Sequence, residues 1–292
     1  MTIAGTRVPA RPQWAFRWFF PAAALYGAML VPLSLQGMLG EGPWVPALAS
    51  PAAHARELLY GFVLGVVAGY LMGRTSTTRL WLALVLWFAA RVARLAMPGT
   101  PVAGATQALF IATIALSVVP KFVGYGRKLR NLTVAPLIAL LSLSAPAYDL
   151  AFAAVDVSVA VVAFATVLLL AWLMAFMGGR LIAPAVAGQL GRQGDRLDAR
   201  VQPHIEGATI GVLATSALLA CVPRLWMAVG ALSLSGGVLV AIRLARWRFW
   251  RCRGRADLWC LCAGYGWLAV GLMLFGLALL THRNPTAALH LI

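Results

Sequence analysis

The sequence is poor in charged residues, and in acidic residues above all. Of its 292 residues only 11% are charged, and 8 Asp and Glu stand against 24 Lys and Arg. A soluble domain carries about 25% charged residues, so this chain has too few to cover a water-facing surface. A soluble globular fold is therefore excluded. The chain is instead 62% hydrophobic, which is typical of a membrane protein.

Common catalytic motifs are missing as well. The sequence contains no GxSxG elbow, HExxH pair, phosphate-binding loop or EF-hand loop, so nothing favours a hydrolase or an ATPase. The alternation of apolar and polar residues that a membrane β-barrel needs is also missing, and long runs of Ala, Leu and Val stand in its place. These patterns predict an all-α polytopic transmembrane helical bundle. They leave open whether the protein is an enzyme and favour a protein without a turnover reaction.

Nine apolar runs are long enough to cross a bilayer, whose core of about 30 Å takes roughly 20 residues of helix. They lie at 18–39, 54–73, 79–97, 101–120, 130–147, 151–177, 204–222, 225–246 and 257–281. Asn284-Pro285 then starts a further helical sequence, which predicts a partial tenth span interrupted at Ile292. We expect one transmembrane domain over residues 1–292, with a weak boundary between sub-bundles in the polar connection at 178–203.

The basic residues indicate how the chain lies in the membrane. With a cytoplasmic N-terminus, nineteen of the 24 Lys and Arg fall on the inner side and five on the outer side. Because Lys and Arg accumulate in cytoplasmic loops, this distribution predicts that orientation. It also accounts for the net charge of +16 without a nucleic-acid partner. The segment from Arg243 to Arg255 interleaves Arg with Trp and Phe, which favours contact with anionic membrane lipids.

Two histidines are candidate ligands for a cofactor or metal on the outer side. His54 and Glu57 are three residues apart and share a helix face, and imidazole binds haem iron, copper or zinc. Another interpretation is that Glu57 favours the helix N-terminus and pairs with Arg56. His290 lies in the apolar sequence Ala-Ala-Leu-His-Leu-Ile and is the second candidate ligand.

A glycine pair precedes a further candidate site residue. Gly178-Gly179 allows close approach of helices, and Arg180 after it could clamp an anion such as a haem propionate or a lipid phosphate. The four cysteines match no zinc or redox spacing, so we interpret them as small apolar residues.

Seven short segments, in the same order along nearly the whole chain, resemble the NnrS family. They are His54-Ala-Arg-Glu-Leu-Leu-Tyr-Gly-Phe62, Leu86-Trp-Phe-Ala-Ala-Arg91, Arg130-Asn-Leu132, Met177-Gly-Gly-Arg-Leu-Ile-Ala-Pro184, Ala241-Ile-Arg-Leu-Ala-Arg-Trp247, Gly264-Tyr-Gly-Trp267 and Ala287-Ala-Leu-His290. Proteins of that family are polytopic membrane proteins that contain haem and copper and belong to the bacterial response to nitric oxide. The resemblance implies a bacterial inner-membrane protein with haem and copper as cofactors, His54 and His290 as ligands and Glu57 beside them. The structural or anion-pairing residues would be Arg56, Arg130 and Arg180.

The chain also departs from the family's pattern. The family motif His-Ala-His-Glu has Arg56 in place of its second His, and the His-Thr-Gly-Arg motif expected beyond the tenth span is missing. The resemblance therefore implies a divergent, C-terminally truncated member. It leaves open an alternative function, a membrane transporter or lipid-interacting protein with a degenerate metal site. In that alternative Arg56, Arg91 and Arg94 meet an anionic solute.

Overall fold

The chain is helical almost throughout, as the sequence predicts. The computed structural model describes residues 12–40, 42–124, 133–154 and 158–292. The helices are α1 (Phe16–Leu39), α2 (Pro51–Glu57), α3 (Leu64–Met72), α4 (Thr77–Ala96), α5 (Pro101–Gly124), α6 (Val134–Ala153), α7 (Val159–Arg192), α8 (Pro203–Leu219), α9 (Trp226–Arg246), α10 (Ala256–Leu280) and α11 (Thr286–Leu289). Two-residue strands, β1 (Gln13–Trp14) and β2 (Arg74–Thr75), and a π-helical segment between α2 and α3, Leu58–Val63, complete the regular structure apart from short 3₁₀ turns.

Seven helical segments of the described chain are long and apolar enough to cross a membrane. They are Phe16–Leu39, Pro51–Met72, Pro101–Lys121, Val134–Ala153, Val159–Arg192, Pro223–Arg251 and Ala256–Leu280. The two other predicted spans coincide with α4, which carries three arginines, and α8, which has 17 residues. The protein is thus a multi-pass membrane protein, and nine spans with a cytoplasmic N-terminus remain predictions.

The outer faces of these helices support that conclusion. Large apolar side chains are exposed on them, among them Leu116, Leu150 and Phe88, with exposed fractions of 76%, 70% and 64%. In water such a surface would drive association, whereas lipid chains solvate it.

The predicted polar connection at 178–203 is mostly helical, and this corrects the sequence analysis. Helix α7 continues through Arg180 and Pro184 to Arg192, so the connection is limited to residues 193–202. Arg180 does not end the helix, because its guanidinium stacks over the Phe176 ring one turn earlier, at 4.6 Å from the ring centroid. A charged residue at the edge of an apolar run marks the polar boundary of a span, but it need not end the helix.

The chain divides into two compact units, residues 1–156 and 157–292. In the first unit, β1 and β2 pair antiparallel with Trp14 opposite Arg74 and so fasten the start of α1 to the turn that follows α3. Gly73 in that turn has φ +58° and its carbonyl accepts a hydrogen bond from the Ala15 N–H at 2.9 Å. A side chain would be strained at this φ, so glycine is required there.

The second unit is built around the close packing of α9 against α10. A Cβ added at Gly276 would lie 2.5 Å from the Gly230 carbonyl oxygen, and one at Gly237 would lie 2.7 Å from the Ala269 carbonyl oxygen. These helices approach so closely only because glycine leaves the space, as is common where helices pack within lipid.

Candidate functional site

The second predicted span changes its winding immediately after Glu57. Residues Leu58–Val63 form a π-helical turn between α2 and α3. Such turns insert one extra residue and are often found at functional sites. Tyr60 and Gly61 in this turn are buried, as is Glu57 before it. The Glu57 carboxylate and the backbone carbonyls of Tyr60 and Gly61 therefore lie in the interior of the first unit, where both carbonyls accept side-chain hydrogen bonds.

Glu57 is the centre of a buried polar cluster. Its side chain is 1% exposed, and its Oε2 accepts hydrogen bonds from the Tyr26 hydroxyl at 2.6 Å and from Arg91 Nη1 at 2.5 Å. A Cβ at Gly61 would lie 2.5 Å from Arg91 Nη1, so glycine makes room for the guanidinium. The Gly61 carbonyl in turn accepts a hydrogen bond from Trp87 Nε1 at 2.9 Å.

The second terminal nitrogen of the Arg91 guanidinium, Nη2, also donates a hydrogen bond. Arg91 Nη2 donates to Gln107 Oε1, and Gln107 Nε2 donates to the Tyr60 carbonyl at 3.4 Å. That carbonyl belongs to the π-helical turn, so the network returns to the segment that carries Glu57. Arg91 thereby links α4, α5 and the second span around one carboxylate.

A second ion pair lies one turn further along α4. Arg94 donates to both carboxylate oxygens of Asp149 on α6, with 2.6 Å between Nη1 and Oδ1. This two-bond fork is the geometry in which Arg binds a carboxylate most strongly. The neighbouring Tyr148 donates from its hydroxyl to the Ala52 carbonyl at 2.8 Å and so connects α6 to the start of α2.

Arg56 is a third buried arginine, and its surroundings differ from those of the other two. The residue is 5% exposed, and its guanidinium lies 4.9 Å from the centroid of the Phe152 ring. The distance from Arg56 Nε to Glu57 Oε1 is 3.7 Å, beyond hydrogen-bond range. Both of these buried atoms lack a hydrogen-bond partner in the part of the chain that the structure describes.

His54 lies next to this cluster on α2, and its ring is fixed by Ser34 of α1. His54 Nδ1 is 2.6 Å from Ser34 Oγ, and Ser34 Oγ donates its own proton to the Val31 carbonyl at 2.9 Å. The Ser34 hydroxyl has one proton for these two contacts. When that proton goes to Val31, Oγ accepts from Nδ1–H, and the lone pair of a neutral imidazole is then on Nε2, which is the state required of an iron ligand. The Ser50 cap and Pro51 begin α2 one turn earlier and so position His54.

The remaining predicted site residues do not join this cluster. His290 is exposed in the second unit, where its Nδ1 donates to the Thr286 carbonyl at 2.9 Å. Arg180, also in the second unit, stacks on Phe176 as described above. Arg130 lies outside the described residues.

The sequence analysis did not predict a second buried cluster, which lies in residues 157–292. Arg243 is 3% exposed, its Nη1 donates to the Ala175 carbonyl at 2.7 Å, and its Nη2 is 3.3 Å from Glu206 Oε2. The Tyr265 hydroxyl donates to the same Ala175 carbonyl at 3.2 Å. The sequence analysis assigned Arg243 to a lipid-facing basic segment, but the structure buries it.

The Gly178-Gly179 pair is the sequence signal for this second cluster. A Cβ at Gly178 would overlap the Tyr265 ring, and one at Gly179 would overlap the Arg243 guanidinium. The expectation that these glycines allow close approach is correct, although what approaches is two polar side chains.

Comparison with known proteins identifies the family of this chain. A family model described as "NnrS protein" matches residues 13–292, which is nearly the whole sequence. The chain belongs to the NnrS family. No curated protein and no solved structure matches it significantly. The resemblance drawn from seven short segments is thus confirmed for NnrS membership.

The residues of this NnrS protein can be tested against the two cofactors that the resemblance implies. Among the described residues there is no group of three His, Cys, Asp or Glu that could hold a metal ion. The Glu57 carboxylate is already bonded to Tyr26 and Arg91, and Arg56 adds positive charge beside it. A copper site built from several protein ligands does not fit these residues. Haem fits better, because its iron needs only one axial imidazole, and the Ser34 contact is compatible with the tautomer that His54 would need.

Proposed function

We propose that this NnrS protein binds haem in the bacterial inner membrane and acts in the response to nitric oxide. The observation that supports the proposal is the Ser34–His54 hydrogen bond, in which 2.6 Å separates Ser34 Oγ from His54 Nδ1 and Oγ can accept from Nδ1–H. Ligand histidines in proteins almost always donate from the other ring nitrogen in this way, because the bond orients the ring and raises its basicity. The biological role is proposed from the resemblance to the NnrS family.

The residues around His54 would each have a defined task. Ser34 holds the imidazole plane, and the Ser50 cap holds the helix that carries it. The ion pair of Glu57 with Arg91 fixes the next turn of the span. Haem iron, when bound, supplies a site for a small diatomic ligand such as nitric oxide. The protein's own contribution is to keep one neutral imidazole in place within a lipid-surrounded bundle.

The absorption spectrum of the purified protein tests the haem proposal. Protein produced with adequate haem is expected to show a Soret band with bound iron, and His54→Ala is expected to abolish it. His204→Ala, at the start of α8, is the matched control and should leave the band unchanged. Ser34→Ala should retain haem with a shifted spectrum, because the ring keeps its ligand atom but loses its orientation. A wild-type protein without a Soret band, or an unchanged spectrum in His54→Ala, would refute the assignment.

The biological role needs a separate measurement. Cells that produce the wild-type protein are expected to grow better under a nitric oxide donor than cells that produce His54→Ala, provided both proteins reach the membrane in equal amounts. Equal growth of the two strains would count against the role even if haem is bound.

A further inference from the structure

The buried cluster of the first unit contains more positive than negative charge. Three arginines, Arg56, Arg91 and Arg94, are 3% to 6% exposed. Two carboxylates face them, those of Glu57 and Asp149. Tyr26 adds no charge, since its hydroxyl donates to Glu57. Among the described residues one positive charge of this cluster is therefore left without a matching carboxylate, in a segment predicted to lie in lipid, where an unpaired charge is costly unless an anion accompanies it.

The hydrogen bonds show which arginine carries that surplus. Arg91 and Arg94 each donate to a carboxylate, with one bond and two bonds respectively. Arg56 is 3.7 Å from Glu57 Oε1, and its buried Nε has no hydrogen-bond partner in the described ranges. Arg56 is thus the group from which an acceptor is missing.

The geometry around Arg56 limits what that acceptor can be. One face of the guanidinium lies against Phe152, so a ligand meets the N–H groups in the guanidinium plane. That planar fork matches the two oxygens of a carboxylate. A monovalent anion would neutralise the one surplus positive charge. Phe152 is 43% exposed, which places the site next to the surface of the unit, where a small solute can arrive.

We infer that Arg56 binds the carboxylate group of a small monovalent anion. A free carboxylate solute and a haem propionate present the same group, so the same site would accept either. The two sources are separated by carrying out the experiment on haem-free protein first and on haem-loaded protein second.

Binding is measured by ¹⁹F NMR, with trifluoroacetate as the monovalent carboxylate probe and the full chain in detergent micelles. In haem-free protein the probe signal is expected to broaden in a saturable manner, to be displaced by formate, and to resist displacement by sulfate. Arg56→Met should weaken binding about tenfold or more, because it removes charge-assisted hydrogen bonds. Arg224→Met is the matched control, since Arg224 is exposed in the second unit. An unchanged titration in Arg56→Met would overturn the inference.

The haem-loaded protein then identifies the source of the carboxylate. If haem loading abolishes probe binding and Arg56→Met loosens haem, the ligand is a propionate. If haem loading leaves probe binding intact, it is a free solute. Haem failing to bind at all would refute the proposed function and leave the result on haem-free protein valid.

Thermal unfolding tests the same inference by protein stability, in case Arg56→Met alters the fold. When formate replaces sulfate at equal ionic strength, the wild-type protein is expected to gain more stability than Arg56→Met does. Without formate, Arg56→Met should be at least as stable as the wild type, because it removes a buried charge that has no counter-ion. Equal formate dependence in both proteins would overturn the inference.

Discussion

Replacing Glu57 by Gln keeps the shape of the side chain and removes its charge. The Arg91 guanidinium, 3% exposed and 2.5 Å from Oε2, then loses the only carboxylate to which it donates among the described residues. Breaking a buried ion pair from one side leaves an uncompensated charge and costs about 3–5 kcal/mol. A neutral hydrogen bond between membrane helices averages only about 0.6 kcal/mol. The two cases are far enough apart to be distinguished by experiment.

The free energy of unfolding can be measured by titrating the micelles with dodecyl sulfate while following helical circular dichroism. Glu57→Gln is expected to lose about 3–5 kcal/mol of stability. The double variant Glu57→Gln/Arg91→Met should recover part of that loss, because the uncompensated charge is removed as well. Asp257→Asn is the control, since Asp257 pairs with Arg255 at the surface and its loss should have no measurable effect.

A loss below about 1 kcal/mol in Glu57→Gln would refute this reasoning, because it is the range of a neutral hydrogen bond. Strictly additive effects in the double variant would also refute it, since they would show that the two side chains do not interact.

Three further predictions concern packing, thiol chemistry and orientation. Gly178→Ala should destabilise the protein by about 1–3 kcal/mol, because the added Cβ overlaps the Tyr265 ring. Gly188→Ala, with open space around it, should be neutral or stabilising by up to about 1 kcal/mol. Unfolding measurements in which both variants destabilise the protein equally would contradict this. Burial raises the pKa of the Cys252 thiol. In single-cysteine variants Cys252 should therefore react with maleimide more slowly than the exposed Cys221, and its rate should rise only at higher pH. Equal rates for the two cysteines would contradict the buried placement of Cys252. An impermeant thiol reagent should reach a cysteine placed in the connection after α7 only from the cytoplasmic side, and labelling in intact cells would reverse the predicted orientation.

Much of the fold could be predicted from composition and from the position of apolar runs. Seven of the nine predicted spans coincide with helices apolar enough to cross a membrane. The other two coincide with α4, which carries three arginines, and with α8, which has 17 residues. Helix ends were harder to predict. Arg180 was taken to follow the end of a span, yet α7 continues to Arg192, since the guanidinium stacks on its own helix.

The candidate site was only partly visible in the sequence. His54, Glu57 and Arg56 were recognised because they stand close together in one short motif. Their partners were not, because Arg91 is 34 positions from Glu57, and nothing in either local sequence indicates that pairing. The same holds in the second unit, where Arg243 looked like a lipid-facing residue and its partner Glu206 lies on another helix.

The sequence by itself determined that this is an all-helical membrane protein of the NnrS family, because hydropathy and short motifs are local properties of the chain. Only the tertiary structure decided which charges are neutralised. An ion pair depends on which helices pack together, and on the glycines and the π-helical turn that let them approach. That arrangement pairs Arg91 and Arg94 with carboxylates and leaves Arg56 without a hydrogen-bonded carboxylate in the described structure.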